Sequence, residues 1–196
     1  MMSAFAIRWE EHVGLDAEVA QLRQGDPDAL AAVLARYQNR LYRYLLRLVR
    51  QPATADDLFQ QTWLRVAQNI GRYDPRRSFE AWLFAVARNL AIDHLRRITP
   101  QSLDEPLPSG ESPAARLPAA GPDALDRLLA HERGERLAVA LAELPALYRE
   151  VLSLRFEEEM KLDEIAEVQG TPLSTVKTRL RRGLEALRRR LEKEMA

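Results

Sequence analysis

The chain contains no cysteine, which excludes disulfides, thiolate metal sites and a thiolate nucleophile. Its three histidines, His12, His94 and His131, are scattered and form no pair at metal-binding spacing. No glycine-rich phosphate loop is present. No apolar run approaches the roughly 20 residues that span a bilayer. The opening segment MMSAFAIRWEEHVG lacks the basic start, apolar stretch and small-residue cleavage site of a signal peptide. The adjacent carboxylates Asp56–Asp57 and Glu157–Glu158–Glu159 would point in different directions on a helix, which suits a solvated face or a basic partner better than acid–base work. No catalytic residue, metal ligand or cofactor is expected, and the expected location is the cytoplasm, with no membrane insertion.

Also absent is any net charge: 29 basic side chains balance 29 acidic ones over 196 residues. The balance is segmental. Residues 122–170 carry six basic and twelve acidic side chains, whereas 171–196 carry eight and three. A basic C-terminal segment behind an acidic one suggests separate surfaces for separate partners.

The first 98 residues read as helices without strands. From Asp16 to Val49 the apolar positions Leu30, Val33, Leu34, Tyr37, Leu41, Tyr44, Leu45 and Leu48 step by three and four, with Asp26 as a cap and Pro27 in the first turn. Arg36, Arg40, Arg43, Arg47 and Arg50 are expected as an exposed basic row. Pro52 is expected to interrupt the chain and Thr54 to start a new helix, with Asp56 and Asp57 in its first turn and Leu58, Phe59, Trp63, Leu64 and Val66 as its apolar positions. That helix should run to about Asn69, followed by a loop over 71–77. Six prolines fall within Thr99–Pro122, too many for a helix, and the segment reads as an extended acidic linker. Helical periodicity resumes at Ala124 with Leu125, Leu128 and Leu129.

Two stretches carry candidate chemistry. The first is Phe79–Arg97, a helix that no glycine or proline interrupts. Phe79, Leu83, Val86 and Leu90 share one face, and Phe84, Ala91 and Leu95 lie nearly opposite, so the helix should be sandwiched in a bundle. Trp82, Asn89, Asp93 and Arg96 nevertheless fall on one strip. With Arg72, Arg76 and Arg77 before it and Arg96–Arg97 at its end, this strip fits a nucleic-acid surface. It fits a core helix with a solvated polar ladder equally well.

The second stretch, LDEIAEVQGTPLSTVKTRLRRGLEALRRRLEKE, has the build of a helix-turn-helix. A short helix over Leu162–Val168 leads to Gly170, which can take the left-handed turn, with Thr171 as the next cap and Pro172 in the first position. Val176, Leu180, Leu184 and Leu187 are expected to be buried. Ser174, Thr175, Lys177, Thr178, Arg181 and Arg182 are then left exposed at the end that enters a major groove. A helical hairpin with a basic tail for RNA, a membrane or a protein is the competing reading.

Taken together, ADDLFQQTWLRVAQN, RRSFEAWLFAVARNLAIDHLRR and LDEIAEVQGTPLSTVKTRLRRGLEALR resemble the signature stretches of the extracytoplasmic-function (ECF) sigma factors of bacterial RNA polymerase. The resemblance implies an all-α fold of two small helical domains joined by a flexible proline-rich linker. The boundaries would be a tail over 1–15, sigma domain two over 16–98, the linker over 99–123 and sigma domain four over 124–196. It implies docking of Asp56, Asp57, Gln60, Gln61 and Arg65 on the clamp of the largest polymerase subunit, and contact of the second domain with the flap of the second subunit. Arg72, Tyr73, Arg76, Arg77, Ser78, Arg88, Asn89, Arg96 and Arg97 would melt and hold the −10 element. Trp82 matches a core position. Ser174, Thr175, Lys177, Thr178, Arg181 and Arg182 would read the −35 duplex. Partners implied are core polymerase, promoter DNA and an anti-sigma factor. One departure is local: Met160 and Lys161 stand where a Ser, Thr or Asp often precedes the helix at Leu162, leaving Asp163 and Glu164 to stabilise its start through the dipole. The alternatives are a stand-alone helix-turn-helix regulator with a sensing or dimerising bundle, and an enzyme with a DNA-binding tail, for which no active-site constellation exists.

Overall fold

The computed structural model describes residues 15–98 and 137–194. The expected tail, the linker and the start of the helix near Ala124 lie outside them. Among the described residues there are helices and turns and no strand. Two compact units are present, one formed by the chain up to Ile98 together with Ala166–Gly170, the other by the rest. Among the described residues no helix is long and apolar enough to cross a membrane.

In the first unit, α1 covers 15–23 and turns at Gly25, whose φ of +87° suits glycine. α2 (Pro27–Val49) starts as its sequence prescribes: the Asp26 carboxylate accepts the Asp28 N–H at 2.9 Å, and Pro27 occupies the first turn. Arg50 ends it in the left-handed region at φ +61°, its N–H donating to the Leu46 carbonyl. α3 (Pro52–Asn69) begins two residues earlier than Thr54. Pro52 opens this helix, because a first-turn residue needs no N–H and proline's φ is already helical. Asp56 and Asp57 therefore sit in the second turn. A single 3₁₀ turn, Ile70–Arg72, leads through the loop to α4 (Phe79–Ile98). Ser78 caps α4, its hydroxyl accepting the Ala81 N–H at 3.2 Å.

Helices α2, α3 and α4 pack against one another. Tyr44, Leu41, Leu45, Leu83, Phe84 and Val66 are fully buried between them. α4 is covered around most of its circumference. Phe79, Leu83, Leu90, Phe84 and Ala91 are all buried, while Val86 and Leu95 are only half-buried. The basic row on α2 is not uniformly exposed. Arg40 turns in to pair with Glu80 of α4 and lies over the Tyr37 and Phe84 rings, Arg47 is half-buried, and Arg36 pairs with Glu18 of α1 at 3.0 Å. A cation stacked on rings and facing a carboxylate loses less by partial burial than a lone cation would.

Residues 137–194 form α5 (137–142), α6 (Ala146–Phe156), α7 (Leu162–Gln169) and α8 (Leu173–Glu194). The buried Arg149 donates from Nη1 to the Ala142 and Leu144 carbonyls at 2.8 and 2.9 Å, satisfying acceptors that α5 leaves open at its end. Arg155 does the same for the Met160 carbonyl, at 2.8 Å. α7 compensates for its missing cap differently from the dipole expectation: the Glu164 carboxylate reaches back to the Lys161 N–H at 2.8 Å, half of a capping box.

The seam between α6 and α8 departs from the expected leucine stripe. Val176 and Ala186 are buried, and an added Cβ on Gly183 would meet Leu152 and Tyr148 of α6 at 3.4 Å. Leu184 is exposed, and Leu180 and Leu187 are half-buried. Small residues let the two backbones approach, so the buried arc passes through Gly183 and Ala186 and the leucines move to its margins.

Candidate nucleic-acid interface

The loop ahead of α4 is pinned from within. Pro75 fits a tight turn in which the Asp74 carbonyl accepts the Arg77 N–H and its carboxylate accepts the Arg76 N–H, both at 3.0 Å. The Tyr73 ring stands edge-on to Phe79 with centroids 5.6 Å apart, and its hydroxyl donates to the Arg77 carbonyl at 2.5 Å. Tyr73 is buried, so it presents no ring face to a ligand; its role here is to fasten the loop. Burial, and then the charges of Asp16 and Asp74, push its phenol above the ordinary range. Trp82 is half-buried against Tyr73 and Phe79, as a packing residue would be. Arg72, Arg76 and Arg77 project outward, and Ser78 is half-buried as the cap of α4.

One helical strip continues from that turn. Asn89, Asp93 and Arg96 are exposed, as is Arg97, while Arg88 is half-buried on the adjoining side. The chain thus places three exposed arginines just ahead of a buried helix and a polar strip ending in Arg96 along the second half of that helix, groups of the kind that hold phosphates and bases. Among the described residues no group of three or more His, Asp or Glu side chains could hold a metal.

A second surface lies on α3. Asp56, Asp57, Gln60, Gln61 and Arg65 are all exposed. The Tyr42 phenol of α2 lies above its ordinary range, chiefly by desolvation and then through the charge of, and a hydrogen bond to, Asp56. Leu64, expected in the core, is instead 62% exposed and shares the strip with Asp57, Gln60 and Gln61. Sequence reasoning missed it because three- and four-residue spacing cannot tell a core leucine from one at the margin of a surface strip.

The third surface is the start of α8. Gly170 has φ +58°, the left-handed conformation expected for the turn. Thr171 does not cap: its hydroxyl has no hydrogen-bond partner, and the Pro172 carbonyl accepts the N–H groups of Thr175 and Val176 at 2.9 and 3.2 Å. Proline thus stands just ahead of the helix. Ser174, Lys177, Thr178, Arg181 and Arg182 are exposed and Thr175 is half-buried. The Thr178 hydroxyl donates to the Ser174 carbonyl at 3.0 Å, and Arg181 pairs with Glu185 one turn on at 3.3 Å. Among the described residues no such contact holds Lys177 or Arg182.

Comparison with known proteins gives this geometry a family. Residues 33–100 match sigma-70 region 2 and residues 134–187 match sigma-70 region 4. The ECF RNA polymerase sigma factor SigW of Bacillus subtilis is 33% identical, over 88% of this chain and 94% of its own length. The RNA polymerase sigma factor CarQ of Myxococcus xanthus is 35% identical, over 86% and 92%. Among solved structures, CnrH, in complex with the cytosolic domain of CnrY, shares the fold with a TM-score of 0.66 at 24% identity, over 91% of this chain and 97% of its own. The sigma factor RpoE of Bartonella quintana, solved with the anti-sigma factor NepR, does so with a TM-score of 0.61 at 22% identity, over 83% and 96%. Two sigma-70 regions in order, on two helical units, and relatives matched along nearly their whole length make this chain a member of the ECF family of RNA polymerase sigma factors.

Proposed function

We propose that residues 16–98 dock on core polymerase and open the −10 element, and that 124–196 read the −35 duplex, with 99–123 as the tether. The observation that carries this reading is the pinned turn that displays Arg76 and Arg77 ahead of α4, together with the exposed Asn89–Asp93–Arg96 strip on the second half of that helix. A base drawn out of the stack costs a few kcal/mol, and hydrogen bonds from a rigid polar face offset that cost only if the face is already ordered. The fastening of the loop by Tyr73, Asp74 and the Ser78 cap supplies such order, while Arg88, Arg96 and Arg97 hold phosphates.

On α3, Asp56, Asp57, Gln60, Gln61 and Arg65 meet the clamp of the largest subunit, with Leu64 adding an apolar contact worth up to about 1.5–3 kcal/mol when covered. Ser174, Thr175, Lys177, Thr178, Arg181 and Arg182 enter the major groove, and the second domain also meets the flap of the second subunit. The protein performs no catalysis of its own and works in the cytoplasm, on the nucleoid when bound to polymerase. An anti-sigma factor covers the docking and reading faces between signals, in keeping with the NepR-bound state of the Bartonella relative.

Run-off transcription with bacterial core polymerase on a genomic promoter library tests the reading. Transcripts sharing −10 and −35 motifs are expected, with Asn89→Ala altering selection at −10 and Arg181→Ala at −35. Leu64→Glu should weaken assembly with core. Tight binding to duplex promoter by the protein alone, without polymerase-dependent transcripts, would instead indicate a stand-alone regulator.

A further inference from the structure

We infer that Tyr42 of α2 is a positioning residue for polymerase docking: its hydroxyl holds the Asp56 carboxylate of α3 in place for a lysine or arginine on the clamp. This rests on the docking reading of α3. The two residues stand on different helices and meet only because α2 and α3 pack side by side.

The Tyr42 hydroxyl is hydrogen-bonded to Asp56. A phenol keeps its proton at neutral pH, so the hydroxyl donates and the carboxylate accepts. The ring that carries the hydroxyl is held in turn. It stands edge-on to Phe59 with centroids 6.2 Å apart, and Phe59 stands edge-on to Trp63 with centroids also 6.2 Å apart. Trp63 is buried, while Phe59 and Tyr42 are half-buried, so the three rings step outward from the core toward the exposed Asp56. Phe59 and Asp56 lie three apart on α3 and are neighbours on its surface, which places the ring contact and the hydrogen bond on one side of that helix.

The stability of α3 does not account for Asp56. The helix dipole favours carboxylates in the first turn, and that turn has none; Asp56 stands one turn further on. Among the described residues neither Asp56 nor Asp57 is paired with a cation. A carboxylate has two oxygens and about four acceptor positions, so one bond from Tyr42 leaves it able to accept a lysine or arginine as well. An exposed ion pair gains little, because both side chains must give up freedom to form it. Fixing one partner beforehand removes part of that cost. Tyrosine does so with only two side-chain torsions, and here its ring already rests on Phe59.

The test measures assembly of the full chain with bacterial core polymerase. Tyr42→Phe keeps the three rings and removes only the hydroxyl. It should weaken assembly about two- to tenfold, the range set by ordering one side chain at an interface. Asp56→Ala should weaken it at least as much. Adding Tyr42→Phe to Asp56→Ala should then change nothing further, a coupling that a tyrosine serving only the fold would not show. Chemical unfolding of Tyr42→Phe should match that of the parent chain. Additive losses would mean that Tyr42 meets polymerase or serves the fold by itself, and overturn the positioning role. An effect of Asp56→Ala with none of Tyr42→Phe overturns it too and leaves the docking reading standing. No effect of Asp56→Ala also overturns it, and takes the docking reading with it if Leu64→Glu is silent as well.

Discussion

The two units present reading faces built on opposite packing principles. Among the described residues every ring–ring contact lies between Tyr37 and Phe84, so the first unit is braced by aromatics that also fasten the loop ahead of its reading helix. Among the described residues the second unit has no such brace. Its proposed reading helix packs on α6, closely so at Gly183, with Val176 and Ala186 buried. The difference suits the two proposed tasks. Holding a flipped base requires a face that is rigid before the strand arrives, and large rings with defined geometry supply that. Entering a groove requires an exposed helix end with long polar side chains, and a close small-residue seam fixes the axis while leaving that end open.

The comparison can be broken from either side. Phe84→Ala removes a fully buried ring and its contact with Tyr44, and should destabilise the first unit by about 3–5 kcal/mol. Chemical unfolding of the full chain, followed by Trp63 and Trp82 fluorescence, should show an early transition of that unit. A loss below 1 kcal/mol would mean that the aromatics are not the brace.

Gly183→Leu should cost about 1–3 kcal/mol in the second unit by overfilling the space before Leu152 and Tyr148, with weakened −35 binding. Gly183→Ala, whose methyl makes ordinary contact at 3.4 Å, should be neutral or stabilising through helix propensity. Equal tolerance of both substitutions would dissolve the small-residue seam.

Ser78→Ala removes the α4 cap at a cost of about 1 kcal/mol, and should slow opening of a duplex promoter more than binding to a pre-melted one. Equal effects on both templates would mean that the cap serves stability alone.

The smallest effect is nil below pH 10. Burial, followed by the charge of Glu80, pushes the Tyr37 phenol above its ordinary value of 10.0, and burial raises Tyr73 as well. Each folded-state value lies above the unfolded one, so the native chain holds protons that the unfolded chain releases. Stability should therefore be undiminished below pH 10 and fall as pH rises through and beyond it, in the first unit. Tyr37→Phe should flatten that decline; an identical alkaline profile would remove Tyr37 from the account.

The turn and the outward face of the helix-turn-helix were legible because their signals are local: Gly170 takes the positive φ expected, and the polar residues from Ser174 to Arg182 lie outward or at the margin, whereas the Thr171 cap and the leucine stripe were not borne out. The Asp26 cap and the bounds of α2 and α4 follow from equally short-range chemistry. The −10 candidates were harder. Tyr73 stands among the −10 contacts that the resemblance implies, yet the fold buries it beside Phe79 and Trp82. Leu64 looks like core until the helices around α3 leave its sector open.

The sequence alone determined which segments are helical, where most of them start, and how charge divides along the chain, because periodicity, caps and turn glycines act over one or two turns. Tertiary structure decided which sector of each helix is covered and which charge meets which. Arg40 and Glu80 are forty residues apart, and no local pattern pairs them. The seam of α8 shifted from leucines to Gly183 and Ala186 for the same reason: how closely two helices approach is a property of both surfaces together.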